Sequence, residues 1–422
     1  FIQSEANREK SLLPEYFIKT PVFEENLAID SNIQSTVIAA GRGCGKTAHR
    51  IMMARDCQPH NTASSMLAVE YTTFSQFGER VAQGLPSPGV RDHLTLLLNI
   101  IIEDWIRVLL KSSDLASRMP VHNLGRLKWF WLTYGTSFNQ PSIYYAGMIG
   151  QLLDSHAYTI DWIKFANAWK TGRLSSLLKH TPIWMYPQVR LVGLLVDATV
   201  EPLQVERLPA DALFQQLFDL VQASGLTSVC IVVDRTDESH MLATSPERVA
   251  EMLTPLLHEL PLMELPCVAF KFFVPLEVAH LLARHPGIRL DRILFRELKW
   301  DDRLLNDLLV QRLGVFSNWR VTDMGQLCED GALAATIQPN LIASARGIPR
   351  NLLRVAHQLI IEHCILNRDK VHIQPLDWSA ANQAPELRDI FVNDRTSVSE
   401  SITYTAVPEV LQVANEQAPQ ED

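Results

Sequence analysis

What the chain lacks narrows it first. No run approaches the ~18 uninterrupted apolar residues of a membrane-spanning helix. The nearest, residues 94 to 110, is broken by Asn99, Glu103, Asp104 and Arg107, so no membrane partner is expected. There is no C-x-x-C pair either: the six cysteines, Cys44, Cys57, Cys230, Cys267, Cys328 and Cys364, are scattered. That usage fits free thiols in a reducing cytoplasm and excludes a disulfide framework. No cluster of His, Cys and carboxylates has metal-ligand spacing, and no internal repeat appears. Cations are not in excess, the formal net charge being −9. This argues against wholesale nucleic-acid coating and leaves a local basic face open. Nothing near Phe1 reads as a signal peptide, and a cytoplasmic location is expected.

What is present is an ordinary globular composition, 47% apolar and 20% charged over 422 residues, enough for an ample core in two or three domains. One stretch organises it. The apolar run Thr36-Val37-Ile38-Ala39 leads into Ala40-Gly41-Arg42-Gly43-Cys44-Gly45-Lys46-Thr47, and Ala48 to Ala54 reads as a helix. Strand, glycine-rich loop, Lys-Thr and helix form the order a phosphate-binding loop requires, because backbone N–H groups and a helix N-terminus must point at one anion. Ala40 stands where a first glycine is usual, which matters only if that position needs positive φ; Gly41 and Gly43 can supply the tight turn. The candidate nucleotide contacts are Gly41, Arg42, Gly43, Cys44, Gly45, Lys46, Thr47 and Ala48, with Lys46 on the β- and γ-phosphates of ATP and the Thr47 hydroxyl on Mg²⁺. Cys44 reads as a tolerated small side chain, with redox sensitivity the alternative.

Further along, Leu67-Ala68-Val69-Glu70-Tyr71 reads as a second strand. Before the loop, Tyr16 and Phe23 are either plain packing or rings that stack on adenine. From about residue 86 the period turns helical, with Leu94, Leu97, Leu98, Ile101, Ile102 and Trp105 spaced for one buried stripe. Residues 126 to 190 interleave cations such as Lys128, Lys164, Arg173 and Arg190 with Trp129, Trp131, Trp162, Trp169, Trp184, Tyr144, Tyr145 and Tyr158. Such a mixture either grips nucleic acid or divides into a helical core and a solvated face. Then Ser228-Val229-Cys230-Ile231-Val232-Val233-Asp234 is an apolar strand ending in a carboxylate that can hold Mg²⁺. The acid that activates water is Asp237 or Glu238, since Arg235 directly follows Asp234. A fourth strand, from Cys267 to Val274, carries Lys271, read as a sensor facing nucleotide or as edge protection. A fifth, Ile293-Leu294-Phe295, precedes a largely helical remainder.

This succession, completed by Arg346-Gly347-Ile348-Pro349-Arg350-Asn351-Leu352, resembles the AAA+ and STAND branch of P-loop ATPases, including origin-recognition-like ATPases. The resemblance covers residues 33 to 84 and 212 to about 365. It implies an α/β fold, a P-loop NTPase parallel sheet sandwiched by helices, with a large all-α insertion and a C-terminal α-helical lid. The domains expected are a lead-in at 1–32, the ATPase core at 33–84 and 212–298, the insertion at 85–211, the lid at 299–386 and an acidic tail at 387–422. Arg350 looks like the lid arginine that touches the γ-phosphate. The turn with Arg284, Arg289 and Arg292 is similar to the one that carries arginine fingers, with Arg289 and Arg292 the catalytic candidates. The function implied is an ATPase switch that assembles into a homo-oligomer on ATP and acts on a protein partner or effector through the insertion or tail, in prokaryotic defence or signalling. The alternatives are a DNA-binding initiator or transposition regulator, and a scaffold that holds ATP with little turnover.

Overall fold

The computed structural model describes residues 6–27, 34–57, 66–136, 161–204, 208–238, 242 and 245–391. Tyr144, Tyr145, Tyr158 and the tail beyond residue 391 lie outside them. The five apolar runs form strands: β1 (Thr36–Ala40), β2 (Met66–Tyr71), β3 (Ser228–Val233), β4 (Val268–Pro275) and β5 (Leu294–Glu297). Every residue of β1 and β3 is buried. Unbroken burial, without alternation, is what a strand covered on both faces by crossover helices shows. The sheet order is β2-β3-β4-β1-β5, with β3 parallel to β2 and to β4. After β1 the chain next joins the sheet at the β2 edge, and after β4 at the β5 edge, so the direction of travel reverses around the loop that leaves β1. Ligands of open α/β sheets bind at such a reversal, beyond the carboxyl ends of the strands.

By its contacts the chain forms two compact units, one of residues 26–38 and 53–288, the other of 1–25, 39–52 and 289–422. In the first, the helix Val90–Lys111 buries the stripe read from the sequence, Leu94 to Trp105, and the Trp105 indole N–H donates to Ser224 Oγ at 3.2 Å. Trp129, Trp131 and Trp169 are buried too, and Trp184 packs so closely on Gly193 that a Cβ there would lie 2.8 Å from its ring. These rings therefore build the insertion's core. Trp162 is exposed, as are Lys164, Lys170, Arg173, Lys179 and Arg190. Lys128 is structural: its ammonium donates to the carbonyls of Val196 and Ala198 at 2.6 and 2.9 Å.

Lys271 fits neither role expected of it. β4 is an interior strand, so no edge needs protecting. Its ammonium donates to Asn26 Oδ1 at 3.0 Å, the Gln34 carbonyl at 2.7 Å and Thr36 Oγ1 at 3.2 Å. Three acceptors satisfy the three N–H bonds of a buried ammonium, and they lie where the chain enters β1, at the opposite end of that strand from the glycine-rich loop.

The second unit holds the loop, residues 46–52 of the helix Lys46–Asp56, β5 and the C-terminal helices Asp302–Ser317, Gly331–Ala345, Pro349–Leu366 and Pro375–Gln383. Asp301 caps the first of these by accepting from the Leu304 N–H at 2.8 Å, and Asp330 caps the second. Pro349 opens the third, where a missing N–H costs nothing. On helix Asp302–Ser317, the buried Arg312 pairs with Glu9 at 2.7 Å and lies over the Tyr16 ring, 4.6 Å from its centroid. Tyr16 also hydrogen-bonds Glu9, and burial raises its phenol above the ordinary range. Tyr16 thus takes the first of the two roles read for it, plain packing.

Candidate phosphate-binding site

β1 ends at Ala40, and the next helix begins at Lys46. Ala40 is fully buried as the last strand residue and does not take positive φ, so its Cβ costs nothing. Positive φ falls on Gly43 (+87°) and Gly45 (+89°), which makes Gly45 the second turning glycine in place of Gly41. Gly43 is required twice over, because a Cβ there would lie 3.0 Å from Arg350 Cβ and 3.1 Å from Ile348 Cγ2.

Three successive loop carbonyls are held by donors. The Gly43 carbonyl accepts from the Arg350 N–H at 3.3 Å. That of Cys44 accepts from the Trp300 indole N–H at 2.9 Å. The Gly45 carbonyl accepts from the His49 backbone N–H at 3.0 Å and from His49 Nδ1 at 2.9 Å. In a trans peptide the N–H points opposite to the C=O. The amides of Cys44, Gly45 and Lys46 therefore turn away from Arg350, Trp300 and His49. Cys44 spends its N–H on the Gly41 carbonyl at 3.3 Å. Those of Gly45 and Lys46 face outward from the brace at a helix N-terminus, the arrangement of an anion nest. Lys46 adds a full charge: its ammonium lies back over the loop, 3.1 Å from the Ala40 carbonyl and 3.4 Å from that of Gly41. Thr47 and Ala48 follow in the first turn, both half-buried, and Arg42 is exposed. Burial pushes the Cys44 thiol up against the opposing pull of the Lys46 charge, so it is a protonated thiol and a poor redox sensor.

His49 joins the loop to the start of the chain. Thr20 Oγ1 accepts from the Phe23 N–H at 3.2 Å and lies 2.9 Å from His49 Nε2. The Gly45 carbonyl can only accept, so in the neutral ring Nδ1 carries the hydrogen and the Thr20 hydroxyl donates to Nε2. The Phe17 and Phe23 rings stand edge-on to this imidazole. Phe23 is buried in this cluster, so it too takes the packing role.

Burial lowers the His49 pKa to about 4, with the hydrogen bond to Gly45 opposing. His93, held between the Tyr71 hydroxyl and the Met252 carbonyl at 2.8 Å each, is lowered to about 4 for the same reason. Both are neutral when folded, while the unfolded chain takes up their protons from pH 6.5 downward. Stability is full above about pH 6.5 and falls as pH drops toward 4, by about 3 kcal/mol for each histidine. Denaturant midpoints measured from pH 7 to 4 are expected to fall, and to fall less in His93→Gln.

Asp234, Asp237 and Glu238 belong to the first unit. Asp234 is buried at the end of β3, its N–H continuing the ladder to the Tyr71 carbonyl at 3.3 Å. Arg235 then takes φ +65°, and its guanidinium is paired with Glu238. That pair is exposed, and Asp237 beside it is half-buried. Next to Arg235, Thr236 is fully buried, and its hydroxyl has no hydrogen-bond partner among the described residues. Arg289 and Arg292 are exposed and converge on Asp291, at 2.7 and 3.6 Å.

Motif reading from the sequence named Lys46, Thr47 and Arg350 but missed Trp300, His49 and Thr20. No spacing along the chain links Trp300 to the loop.

Fold and sheet define an α/β protein with a five-stranded parallel sheet. No family model, no curated protein and no solved structure matches the chain.

Proposed function

We propose that the chain is an ATP-binding and ATP-hydrolysing switch of the AAA+ and STAND kind. The observation that carries this reading is the loop after β1, whose carbonyls are held on one side so that its amides and the Lys46 ammonium serve an anion on the other. The strand order adds support: β4 lies between the strand that leads into the loop and the strand that ends in Asp234. Lys46, the loop amides and Arg350 would bind phosphate; Thr47 and Asp234 are the oxygen donors that the sequence offers Mg²⁺, which would supply charge neutralisation at the phosphates when bound. Asp237 orients the attacking water. Arg289 and Arg292, exposed beside Asp291, serve a neighbouring subunit's nucleotide in an ATP-dependent homo-oligomer. The closed state forms on ATP binding and is released by hydrolysis, with a protein partner or effector as the recipient.

The test is size measurement with ATP, with ADP and without nucleotide, alongside phosphate release. A larger species with ATP alone and measurable turnover are expected. A single size in all three states, with no nucleotide bound, overturns the proposal. A second reading, a scaffold that holds ATP with little turnover, is favoured by the Arg235–Glu238 pair, which withdraws one of the two candidate acids. Tight ATP binding without phosphate release selects it.

A further inference from the structure

The glycine that lets the loop bend also lets it misfold. At Gly45, with no Cβ, φ is free to change sign, and the peptide plane between Cys44 and Gly45 can rotate. Rotated, it would present a carbonyl oxygen to a phosphate where an N–H is needed. Within the loop, nothing forbids this. What holds the plane is the indole N–H of Trp300, 2.9 Å from the Cys44 carbonyl. The next plane is held by the helix bond from the His49 N–H and, a second time, by His49 Nδ1.

We propose that Trp300 and His49 are positioning residues for phosphate binding, an inference that rests on the loop's being the ATP site. Neither touches the anion; each acts through a carbonyl behind the nest. The two sit in a common brace, the indole edge-on to the imidazole with centroids 6.3 Å apart. A Cβ on Gly45 would meet both rings, at 3.6 Å from His49 Nδ1 and 3.8 Å from Trp300 Cζ2. A Cβ on Gly347 would lie 3.2 Å from the Trp300 carbonyl, two residues before Pro349 opens the helix that carries Arg350. The Gly45 carbonyl can only accept, which puts the ring hydrogen on His49 Nδ1, and the Thr20 hydroxyl meets the remaining Nε2 by donating to it. Phosphate affinity is thereby tied to two segments outside the loop, the C-terminal helical region through Trp300 and the N-terminal segment through Thr20.

Three variants test this. Trp300→Phe keeps a ring and removes the N–H; Thr20→Val keeps the shape and removes the hydroxyl; Thr20→Ser restores it. Affinities for ATP, tripolyphosphate and adenosine are measured by calorimetry and competition, with thermal unfolding of the nucleotide-free proteins alongside. Trp300→Phe is expected to weaken ATP and tripolyphosphate about 10-fold and to leave adenosine unchanged. Thr20→Val is expected to lose about 3-fold for the same two ligands, recovered in Thr20→Ser. Should Trp300→Phe not fold, the Thr20 pair decides. Unchanged tripolyphosphate affinity in the folded variants, or an equal loss for adenosine, overturns the positioning role while leaving the ATP site standing. A parent protein that binds neither ATP nor tripolyphosphate overturns both.

Discussion

Replacing Lys46 with alanine is expected to weaken ATP binding on the order of 100-fold, the cost of losing a charge-assisted contact to two phosphates. The ammonium is already held over the loop by the Ala40 and Gly41 carbonyls, so little of its binding energy goes into ordering the side chain. Asp234→Ala is expected to behave differently. Asp234 is buried at the end of β3, and on the proposed reading it serves the metal and the transition state more than ground-state binding, so ATP affinity is expected to be largely kept while turnover falls on the order of 100-fold or more. The two variants together separate binding from chemistry. Equal phosphate release in parent, Lys46→Ala and Asp234→Ala would sink the assignment of both residues.

Arg312→Ala is expected to be the most damaging substitution for stability, at about 3–5 kcal/mol, because it leaves the Glu9 carboxylate in the interior without its cation. The arginine side chain is 1% exposed and that of Glu9 10%. Loss of the guanidinium over the Tyr16 and Phe316 rings, at 4.6 and 5.2 Å, adds to the cost. Removing both charges together in the Glu9→Gln, Arg312→Met double variant is expected to recover most of the loss, since an apolar pair of similar volume needs no compensating charge. Chemical denaturation of the two single variants and the double variant measures the coupling. A loss below about 1 kcal/mol in Arg312→Ala would mean that the pair is solvated and its burial without consequence.

Much of the architecture was legible because its signals are local. Each of the five strands is a run of apolar residues that needs no partner to be recognised, and each was expected within a residue or two of where it lies. The helical stripe of Leu94, Leu97, Leu98, Ile101, Ile102 and Trp105 is equally local, and all six are buried. The interleaved tryptophans were ambiguous because composition does not say which way a ring points. Packing does: Trp131 and Trp169 meet edge to face in the core, 6.3 Å between centroids. Lys271 misled for the opposite reason. An isolated cation in an apolar strand signals only that a partner exists, and Asn26, Gln34 and Thr36 lie more than 200 residues earlier in the chain.

By itself, the sequence determined the α/β class, the loop between β1 and its helix, the carboxylate at the end of β3 and an arginine after Gly-Ile-Pro, because each is written in adjacent residues whose backbone geometry follows from their own side chains. The tertiary structure alone decided which glycines take positive φ and which donors hold the loop's carbonyls. It also decided that Glu238 is occupied by Arg235 and that Arg350 lies against Gly43. The physical reason is that a hydrogen bond is made by whatever the fold brings within about 3 Å. Trp300 is 256 residues from the Cys44 carbonyl it holds, and no pattern along the chain encodes that approach.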